Sequence, residues 1–520
     1  MFVVVFLVIT CVVVSAHWYL WRRLVRDVSV PGGWWRRTGT VLAFAMPSLL
    51  VAAMITTRSD VPFALQRTLA WPGLMWFAVV VYLLLTLLVL EAVRPLVLRL
   101  LRRRDARRAG ADGSERPAAE EAPAALATTG SAHADSAPDR PVTSVAGHTE
   151  PAGAADAAPP VEAALGPDSD PACGTATAVA DKPATATAAP PADGASPGSD
   201  GTNNPDGTPE RNGSHRLGTA APTAPAPSET PATAGRGGCD GPADASRRRF
   251  VARAAAITAG TVATVTVGAG THSVLAAGPK VKRVDVTLAK LPPAADGYRI
   301  TLISDIHMSP VIGRGVTQRI VERANATDPD LIAIAGDLVD GQVKNLRGAA
   351  QPLGRLRARE GVFFATGNHE YYSGYEEWNS HLAGALGIRV LRNEREELRH
   401  FDIVGVNDLA GEEHGDAPDL PKALAGRDGK RPAVLIAHQP AMIDEAKQHG
   451  VDLQLSGHTH GGQMFPGNFL AALANPTLVG LERYGDTQLY VTRGAGSWGP
   501  PVRVGAEPDI TVLTLRAGRS

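Results

Sequence analysis

The feature that most limits the fold of this chain is a set of five short β-branched or apolar runs, each of which leads into a polar cluster that contains His, Asp or Asn. The runs, which we interpret as strands, are Tyr298–Ser304, Leu331–Ala335, Val362–Thr366, Ala433–Ala437 and Leu453–Ser456. In α/β proteins, ligands bind just beyond the carboxyl ends of the strands. The pattern therefore predicts a globular α/β domain, over residues 280–520, whose polar clusters meet at one edge. Val316–Ala326 and Ala349–Arg359 are predicted to be helices between the early strands.

The polar clusters contain the residue types that bind transition metals. The three cysteines of the chain are Cys11, Cys173 and Cys239, so the predicted domain contains neither a disulfide nor a zinc–thiolate site. Candidate ligands are the His, Asp and Asn residues of the clusters: Asp305, His307, Asp337, Asn368, His438, His458 and His460. Such a ligand set favours Mn²⁺, Fe or Zn²⁺ over Ca²⁺. Two such ions, about 3.5–4 Å apart, would clamp a phosphate and lower the pKa of a shared water.

Taken in order, the clusters read D-x-H, G-D-x-x-D, G-N-H-E, a single His, and G-H-T-H. This series resembles the signature of the calcineurin-like metallophosphoesterase superfamily, and the match covers nearly the whole domain. The resemblance implies a β-sandwich flanked by helices, in α/β/β/α layers. It also implies a metal-dependent phosphoester hydrolase, either a phosphodiesterase or a phosphatase, with two divalent ions as cofactors.

The resemblance also implies a role for each residue. One ion would be held by Asp305, His307, Asp337 and His460, and the other by Asp337, Asn368, His438 and His458. His369 would be the catalytic residue that contacts the phosphate and helps the leaving group to depart. Asp340 and Glu370 would orient the ligands.

Two further segments resemble the bacterial membrane- or envelope-associated branch of the superfamily. They are Gly461-Gly462-Gln463 and the stretch from Gly494 to Arg503. Arg503 would either meet a substrate phosphate or form an ordinary surface salt bridge.

Residues 1–108 are predicted to be a membrane region with three transmembrane helices. The apolar runs are Met1–Leu20, Val41–Ile55 and Leu69–Leu90, and about 20 apolar residues span the hydrocarbon core. The second run is shorter and contains Pro47. The alternative is a signal peptide followed by core helices. A signal peptide normally begins with positive charge, and this chain does not.

The distribution of arginine predicts the orientation of these helices. Five arginines lie between residues 22 and 37, two in the next loop, and seven between residues 94 and 108. Because basic loops stay in the cytoplasm, the N-terminus is predicted outside and residue 108 inside.

Residues 109–245 are predicted to be a disordered linker, because their Ala-, Pro- and Gly-rich composition offers too little apolar surface for a core. Residues 246–279 combine a basic motif with a fourth apolar run, Ala254–Gly278. The motif, from Ser246 to Phe250, resembles a twin-arginine export signal but departs from it at Val251. An ordinary membrane helix with a basic inner flank is the alternative. Both interpretations cross the membrane outward, so the catalytic domain is predicted to be extracytoplasmic.

The net charge of −1 points to no nucleic-acid partner. The expected partners are the membrane and a phosphoester substrate, for which lipids and components of the cell envelope are candidates. The twin-arginine export machinery is a further candidate partner. Two alternatives stay open: a cytosolic nucleotide phosphatase, and an inactive membrane-bound binding protein.

Overall fold

The structure is a computed structural model that describes residues 2–57, 59, 61–113 and 242–518. Most of the predicted linker, residues 114–241, lies outside this part. The helices of the described residues are α1 Phe2–Trp21, α2 Trp34–Thr56, α3 Phe63–Gly113, α4 Pro242–His272, α5 Arg314–Asn325, α6 Val343–Ala350, α7 Asn368–Ser373, α8 Tyr375–Leu386, α9 Leu420–Ala423, α10 Ile443–Gln448 and α11 Gly467–Ala474. The strands are β1 Lys280–Leu288, β2 Tyr298–Ile303, β3 Leu331–Ala335, β4 Val362–Ala365, β5 Arg389–Val390, β6 Glu394–Glu397, β7 Asp402–Gly405, β8 Ala433–Ile436, β9 Leu453–Ser456, β10 Gly480–Tyr484, β11 Thr487–Val491 and β12 Asp509–Ala517.

The strands form two six-stranded sheets, with the orders β1-β12-β2-β3-β4-β5 and β10-β11-β9-β8-β7-β6. Strands β2 to β5 are parallel to one another, and so are β7, β8, β9 and β11. One apolar cluster contains residues of both sheets, Leu302 and Leu455 among them, so the sheets pack face to face. The predicted helix-flanked sandwich is confirmed.

Strand β3 shows why the sheets have helices on their outer faces. All five of its residues are buried. Leu331, Ala333 and Ala335 belong to the cluster between the sheets, whereas Ile332 and Ile334 belong to a second cluster on the other face. Successive side chains of a strand point to opposite faces, so a strand that is apolar throughout needs a layer on each side. Helices α5, α6 and α8 supply residues to the second cluster.

The predicted strands are confirmed to within one residue at their ends, but the predicted helix Ala349–Arg359 is wrong. Helix α6 ends at Ala350, and a 3₁₀ turn, Gln351–Arg355, follows it. Pro352 cannot donate the backbone hydrogen bond that would continue α6. Leu353 and Leu356, three residues apart, both reach the core from this tighter turn.

Three helices of the described residues are long and apolar enough to cross a membrane: Trp34–Thr56, Phe63–Arg104 and Ser246–Ala277. They contain the second, third and fourth predicted spans. The first predicted span forms α1, whose first side chains lie outside the described part of the chain. Helix α3 continues to Gly113 and α4 begins at Pro242, so each helix extends slightly into the predicted linker.

The long helices pack directly against the α/β domain. Ala70 of α3 and Val274, just after α4, belong to the apolar cluster on the outer face of the first sheet. In turn, Val502 of the domain belongs to the cluster formed by α1, α3 and α4. The backbone N–H of Arg503 donates to the carbonyl of Gly270 in α4, at 3.3 Å. The helices and the domain therefore share apolar cores.

Candidate metal centre

The seven predicted ligands follow the carboxyl ends of five strands, three in one sheet and two in the other. Asp305 and His307 follow β2, Asp337 follows β3, and Asn368 begins α7 after β4. In the second sheet, His438 follows β8, and His458 and His460 follow β9. Because β2, β3 and β4 are neighbours, as are β8 and β9, all seven side chains converge where the two sheets meet.

The backbone holds most of these residues in an unusual conformation. Of the eight non-glycine residues with positive φ in the described chain, five are predicted ligands: Asp305 (54°), His307 (52°), Asp337 (54°), His458 (70°) and His460 (53°). Left-handed backbone is unfavourable for residues with a Cβ, and it collects at functional sites, where the surrounding structure enforces it. Here the backbone N–H of Asp305 donates to the carbonyl of Gly336, and that of His307 to the carbonyl of Asp337, each at 3.1 Å.

Asp305, His307 and His460 form the first group of possible ligands, and all three are buried. The Nε2 atoms of His307 and His460 are 2.9 Å apart, and His460 Nε2 is 3.3 Å from Asp305 Oδ1. Burial and the guanidinium of Arg503 lower the pKa of His460 to about 4, against the opposing charge of Asp305. His460 is therefore uncharged at neutral pH, which is the state that a metal ligand requires.

Asp337, His438 and His458 form the second group. His438 Nε2 is 3.2 Å from Asp337 Oδ2, and His458 Nδ1 is 3.3 Å from His438 Nε2. Asn368 joins this group, because its Oδ1 lies 3.2 Å from His458 Nδ1. Asp337 Oδ2 is also 3.5 Å from His307 Nε2, in the first group. Its carboxylate therefore lies between the two groups, as the bridging role requires.

Asp340 connects a ligand with the predicted catalytic histidine. Its Oδ1 atom lies 2.7 Å from Nδ1 of His307 and 2.7 Å from Nδ1 of His369. Burial alone would lower the pKa of His369, but the hydrogen bond to Asp340 and the charges of Asp340 and Asp337 raise it to about 9. Asp340 thus orients both rings and favours a protonated His369.

Glu370 fixes the loops that carry the ligands. Its carboxylate is fully buried and accepts hydrogen bonds from the backbone N–H groups of Asp337, Leu338 and Gly367, at 2.7–2.9 Å. Burial and the charge of Asp337 raise its pKa to about 7. Glu370 therefore joins the loop after β3 to the loop after β4 without facing the ligand cluster.

Gly457 allows the two sheets to approach each other at the site. A Cβ atom at this position would lie 2.1 Å from Ser304 Oγ and 2.2 Å from Asp305 Oδ2. No side chain fits there. The glycine before His458 is thus required by the close approach of β9 to β2, which lie in different sheets.

Arg503 has neither of the two roles considered for it from the sequence. It is 2% exposed, and its Nη1 donates to the carbonyl oxygen of His460 at 2.7 Å. Its Nε donates to the carbonyl of Gly496 at 2.9 Å. Arg503 is therefore a buried residue that positions His460, rather than a phosphate contact or a surface ion pair.

Two aromatic side chains lie beside His369: the sequence suggested Tyr372 as a pocket residue, with core packing as the alternative, but it did not connect Trp498 with His369. The rings of Tyr372 and Trp498 lie 5.5 and 5.9 Å from its ring. Both are largely exposed, and both border a cavity that also reaches α2 and α3. Trp498 is distant from His369 in sequence, and no spacing pattern connects it with α2, so only the packing of the fold could show this wall.

The side chains fit a pair of divalent ions. In the first group, the Nε2 atoms of His307 and His460 are 2.9 Å apart, and in the second group His438 Nε2 and His458 Nδ1 are 3.3 Å apart. A carboxylate oxygen lies close to a histidine nitrogen in each group. Imidazoles, carboxylates and an amide oxygen suit Mn²⁺, Fe or Zn²⁺. A third group of possible ligands among the described residues consists of His307, Asp340 and His369. It shares His307 with the first group.

The comparisons with known proteins agree with this geometry. A family model described as calcineurin-like phosphoesterase matches residues 298–462, which include all seven candidate ligands and His369. The chain is 41% identical over 251 residues to a transmembrane protein with metallophosphoesterase domain from Danio rerio, covering 46% of this chain and 57% of that protein. It is 40% identical over 242 residues to an uncharacterized metallophosphoesterase from Helicobacter pylori, covering 46% and 64%.

The chain thus spans about 57–64% of the length of these relatives, which come from an animal and a bacterium. A third relative is covered almost completely. It is an uncharacterized metallophosphoesterase from Aquifex aeolicus, 34% identical over 242 residues, which are 46% of this chain and 92% of that protein. The strand ends that carry the ligands lie inside the region matched by the family model, and the Aquifex aeolicus protein is matched over 92% of its length. The chain therefore belongs to the calcineurin-like phosphoesterase family.

Proposed function

We propose that this protein is a membrane-anchored phosphoester hydrolase with a two-metal site. The observation that carries the proposal is the position of Asp337, whose Oδ2 atom lies between His438 Nε2 and His307 Nε2. One ion would be held by Asp305, His307, Asp337 and His460, and the other by Asp337, Asn368, His438 and His458. When bound, such ions supply positive charge to a phosphate and lower the pKa of a water.

His369 is the proposed catalytic residue. Asp340 holds its Nδ1 at 2.7 Å, so its Nε2 is the nitrogen left to face a substrate. A protonated His369 can stabilise charge on the phosphate and give its proton to the departing oxygen. Tyr372 and Trp498 flank its ring.

The test uses the full-length chain in detergent, loaded with Mn²⁺ and supplied with bis-p-nitrophenyl phosphate. We expect release of p-nitrophenolate, loss of activity on chelation, and recovery when metal is restored. The matched control is Asp337→Asn, which removes the charge between the two groups. A folded protein with two bound ions that hydrolyses neither this diester nor p-nitrophenyl phosphate would contradict the proposal.

The catalytic domain is proposed to lie outside the cytoplasm. The first part of α3 and the segment just after α4 both contact the domain, through Ala70 and Val274. At the other end of the helices, Arg253 donates to the carbonyl of Val28, at 3.1 Å, beside the arginine-rich loop. Basic residues favour the cytoplasmic side, so this packing supports an outward-facing domain.

We also propose that α4 stays in the membrane rather than serving as a cleaved export signal. Val274, at its end, is 1% exposed within the apolar core of the domain. Cleavage near this point would expose the apolar surface that Val274 covers. The alternative, a signal handled by the twin-arginine machinery and then removed, has no comparable contact in its support.

Cysteine labelling tests the sidedness. The domain has no native cysteine, whereas Cys173 and Cys239 lie in the segment predicted to be cytoplasmic. With Cys11 replaced by serine, a membrane-impermeant maleimide should label Glu412→Cys, an exposed position, in intact cells. Cys173 and Cys239 should react only after permeabilisation. The reverse pattern would place the domain in the cytoplasm and favour a cytosolic phosphatase.

A further inference from the structure

A cavity of about 640 Å³ extends from the candidate metal centre to the membrane helices. At one end its walls are Asp340 and His369, the residues proposed to handle the leaving group. At the other end they are Met54 of α2 with Phe63 and Leu74 of α3. The volume is in the range of small-molecule binding sites, which are about 300–1,000 Å³.

The cavity is more apolar at its end beside α2, α3 and the turn between them, here called the apolar end, where the lining residues are Ala53, Met54, Phe63 and Leu74 together with Thr57, Ser59 and Gln66. Phe63 and Leu74 of α3 pack against the apolar core of the domain. Met54 lies on α2, and 52% of its surface is exposed. Both helices are long and apolar enough to cross a membrane. The apolar end is therefore formed by helices that meet hydrocarbon, whereas the polar end is the proposed site of phosphate chemistry. A phosphate with only polar substituents would leave the apolar end unfilled.

A second observation places this side of the domain against lipid. From Gly461, directly after a candidate ligand, to Leu481 the chain has no charged residue. Helix α11 lies in this segment and has no buried residue, with Phe469, Leu470 and Leu473 exposed by 62%, 73% and 86%. Met464, three residues before α11, packs against the cluster of membrane helices. Exposed apolar patches mark sites of interaction with proteins or membranes, and the membrane helices beside α11 favour lipid as the apolar phase that covers it.

We propose that the substrate is a membrane amphiphile: a phosphoester whose head reaches the metal centre and whose apolar tail lies in the cavity between α2 and α3. This inference rests on the proposed phosphoester hydrolysis and names its substrate class. Water adds to the phosphorus and loses a proton to bulk solvent, the bond to the leaving oxygen breaks, and that oxygen takes a proton from His369, which solvent then protonates again. The tail stays in the apolar end of the cavity, close to the lipid from which it came.

A series of p-nitrophenyl alkyl phosphodiesters, from ethyl to octyl, tests the proposal with the full-length protein in nanodiscs. Each substrate is used below the concentration at which it forms micelles, and kcat/KM is read from released p-nitrophenolate. We expect kcat/KM to rise about two- to fourfold for each methylene that enters the cavity. A kcat/KM that does not change with chain length would overturn the proposal, whatever the behaviour of any variant.

Two tryptophan variants separate the cavity from simple partitioning into lipid. Met54→Trp would fill the apolar end, whereas Val51→Trp adds the same side chain on the same helix at an exposed position outside the cavity. We expect Met54→Trp to lower the octyl-to-ethyl ratio of kcat/KM at least about tenfold and Val51→Trp to keep the wild-type ratio. Equal ratios in the two variants would show that chain length acts through the bilayer alone and would overturn the proposal.

The failure of this inference differs from the failure of the proposed function. Hydrolysis of the ethyl ester and of bis-p-nitrophenyl phosphate, without preference for longer chains, would keep the phosphoesterase and exclude the amphiphile. Absence of hydrolysis for every ester, in protein that binds two ions, would overturn both.

Discussion

Replacing Arg503 by methionine should destabilise the domain and weaken metal binding together. The guanidinium is 2% exposed and donates to the carbonyl oxygens of His460 and Gly496. Methionine fills part of the volume but leaves both buried acceptors without these donors. Each buried acceptor left unsatisfied costs about 1–3 kcal/mol, so we expect a loss of about 2–6 kcal/mol in the free energy of unfolding.

The assay is thermal unfolding of the full-length protein in detergent, with and without added Mn²⁺. For a domain of this size, each kcal/mol lost from the free energy of unfolding lowers the Tm by about 2–4 °C. The apparent Tm should therefore fall by about 4–24 °C. Metal affinity should fall by about 10–100-fold, the usual effect of losing a group that orients a ligand. Arg503→Lys keeps the charge and one cluster of donors, and it should recover part of both losses.

Arg355→Met is the matched control, because Arg355 is exposed on the same domain. Such surface changes usually alter stability by less than about 0.5 kcal/mol. If Arg503→Met unfolds at the temperature of this control and retains its metal, then Arg503 does not position His460, and our interpretation of its buried contacts is wrong.

Four other substitutions and one control probe the site. Asp337→Asn should release both ions and Asp305→Asn mainly one, measured as metal per chain by mass spectrometry; equal losses would argue against a shared carboxylate. His369→Ala should keep both ions and lower kcat by about 10²–10⁴-fold, the typical contribution of a general acid, and loss of an ion would make it a ligand instead. Gly457→Ala should lower the Tm and the metal content, because its Cβ would clash with the loop after β2, whereas Gly384→Ala, with open space around it, should do neither.

Much of the fold and of the site could be predicted because both depend on local sequence. Each strand is four to six residues long with apolar residues at every or every second position, and the ligands follow within about four residues, so a short window contains both signals. The helix predicted at Ala349–Arg359 failed because packing of Leu353 and Leu356 selected a tighter turn. Tertiary contacts commonly override such weak preferences.

The parts of the site that could not be predicted depend on contacts between distant segments. Arg503 reaches His460 from 43 residues away, and nothing in its neighbourhood distinguishes it from a surface arginine. The cavity joins Met54 to His369 because α3, which neighbours α2, is docked on the domain. An apolar helical pattern in a sequence does not distinguish burial in lipid from burial in protein. The contact of α3 with the domain through Ala70 was therefore visible only in the structure.

The shared core has a consequence for how this protein is made. Ala70 and Val274 complete an apolar cluster whose other members lie between Ile303 and Ile510, so the cluster cannot close until the last strand, β12, has been synthesised. Contacts this distant in sequence form slowly, because a long loop must close before they stabilise anything. Biogenesis should therefore proceed in two stages, with insertion of the helices first and docking of the domain onto them second. A mutation on the docked face of α3 would then reduce the yield of mature protein before it altered catalysis.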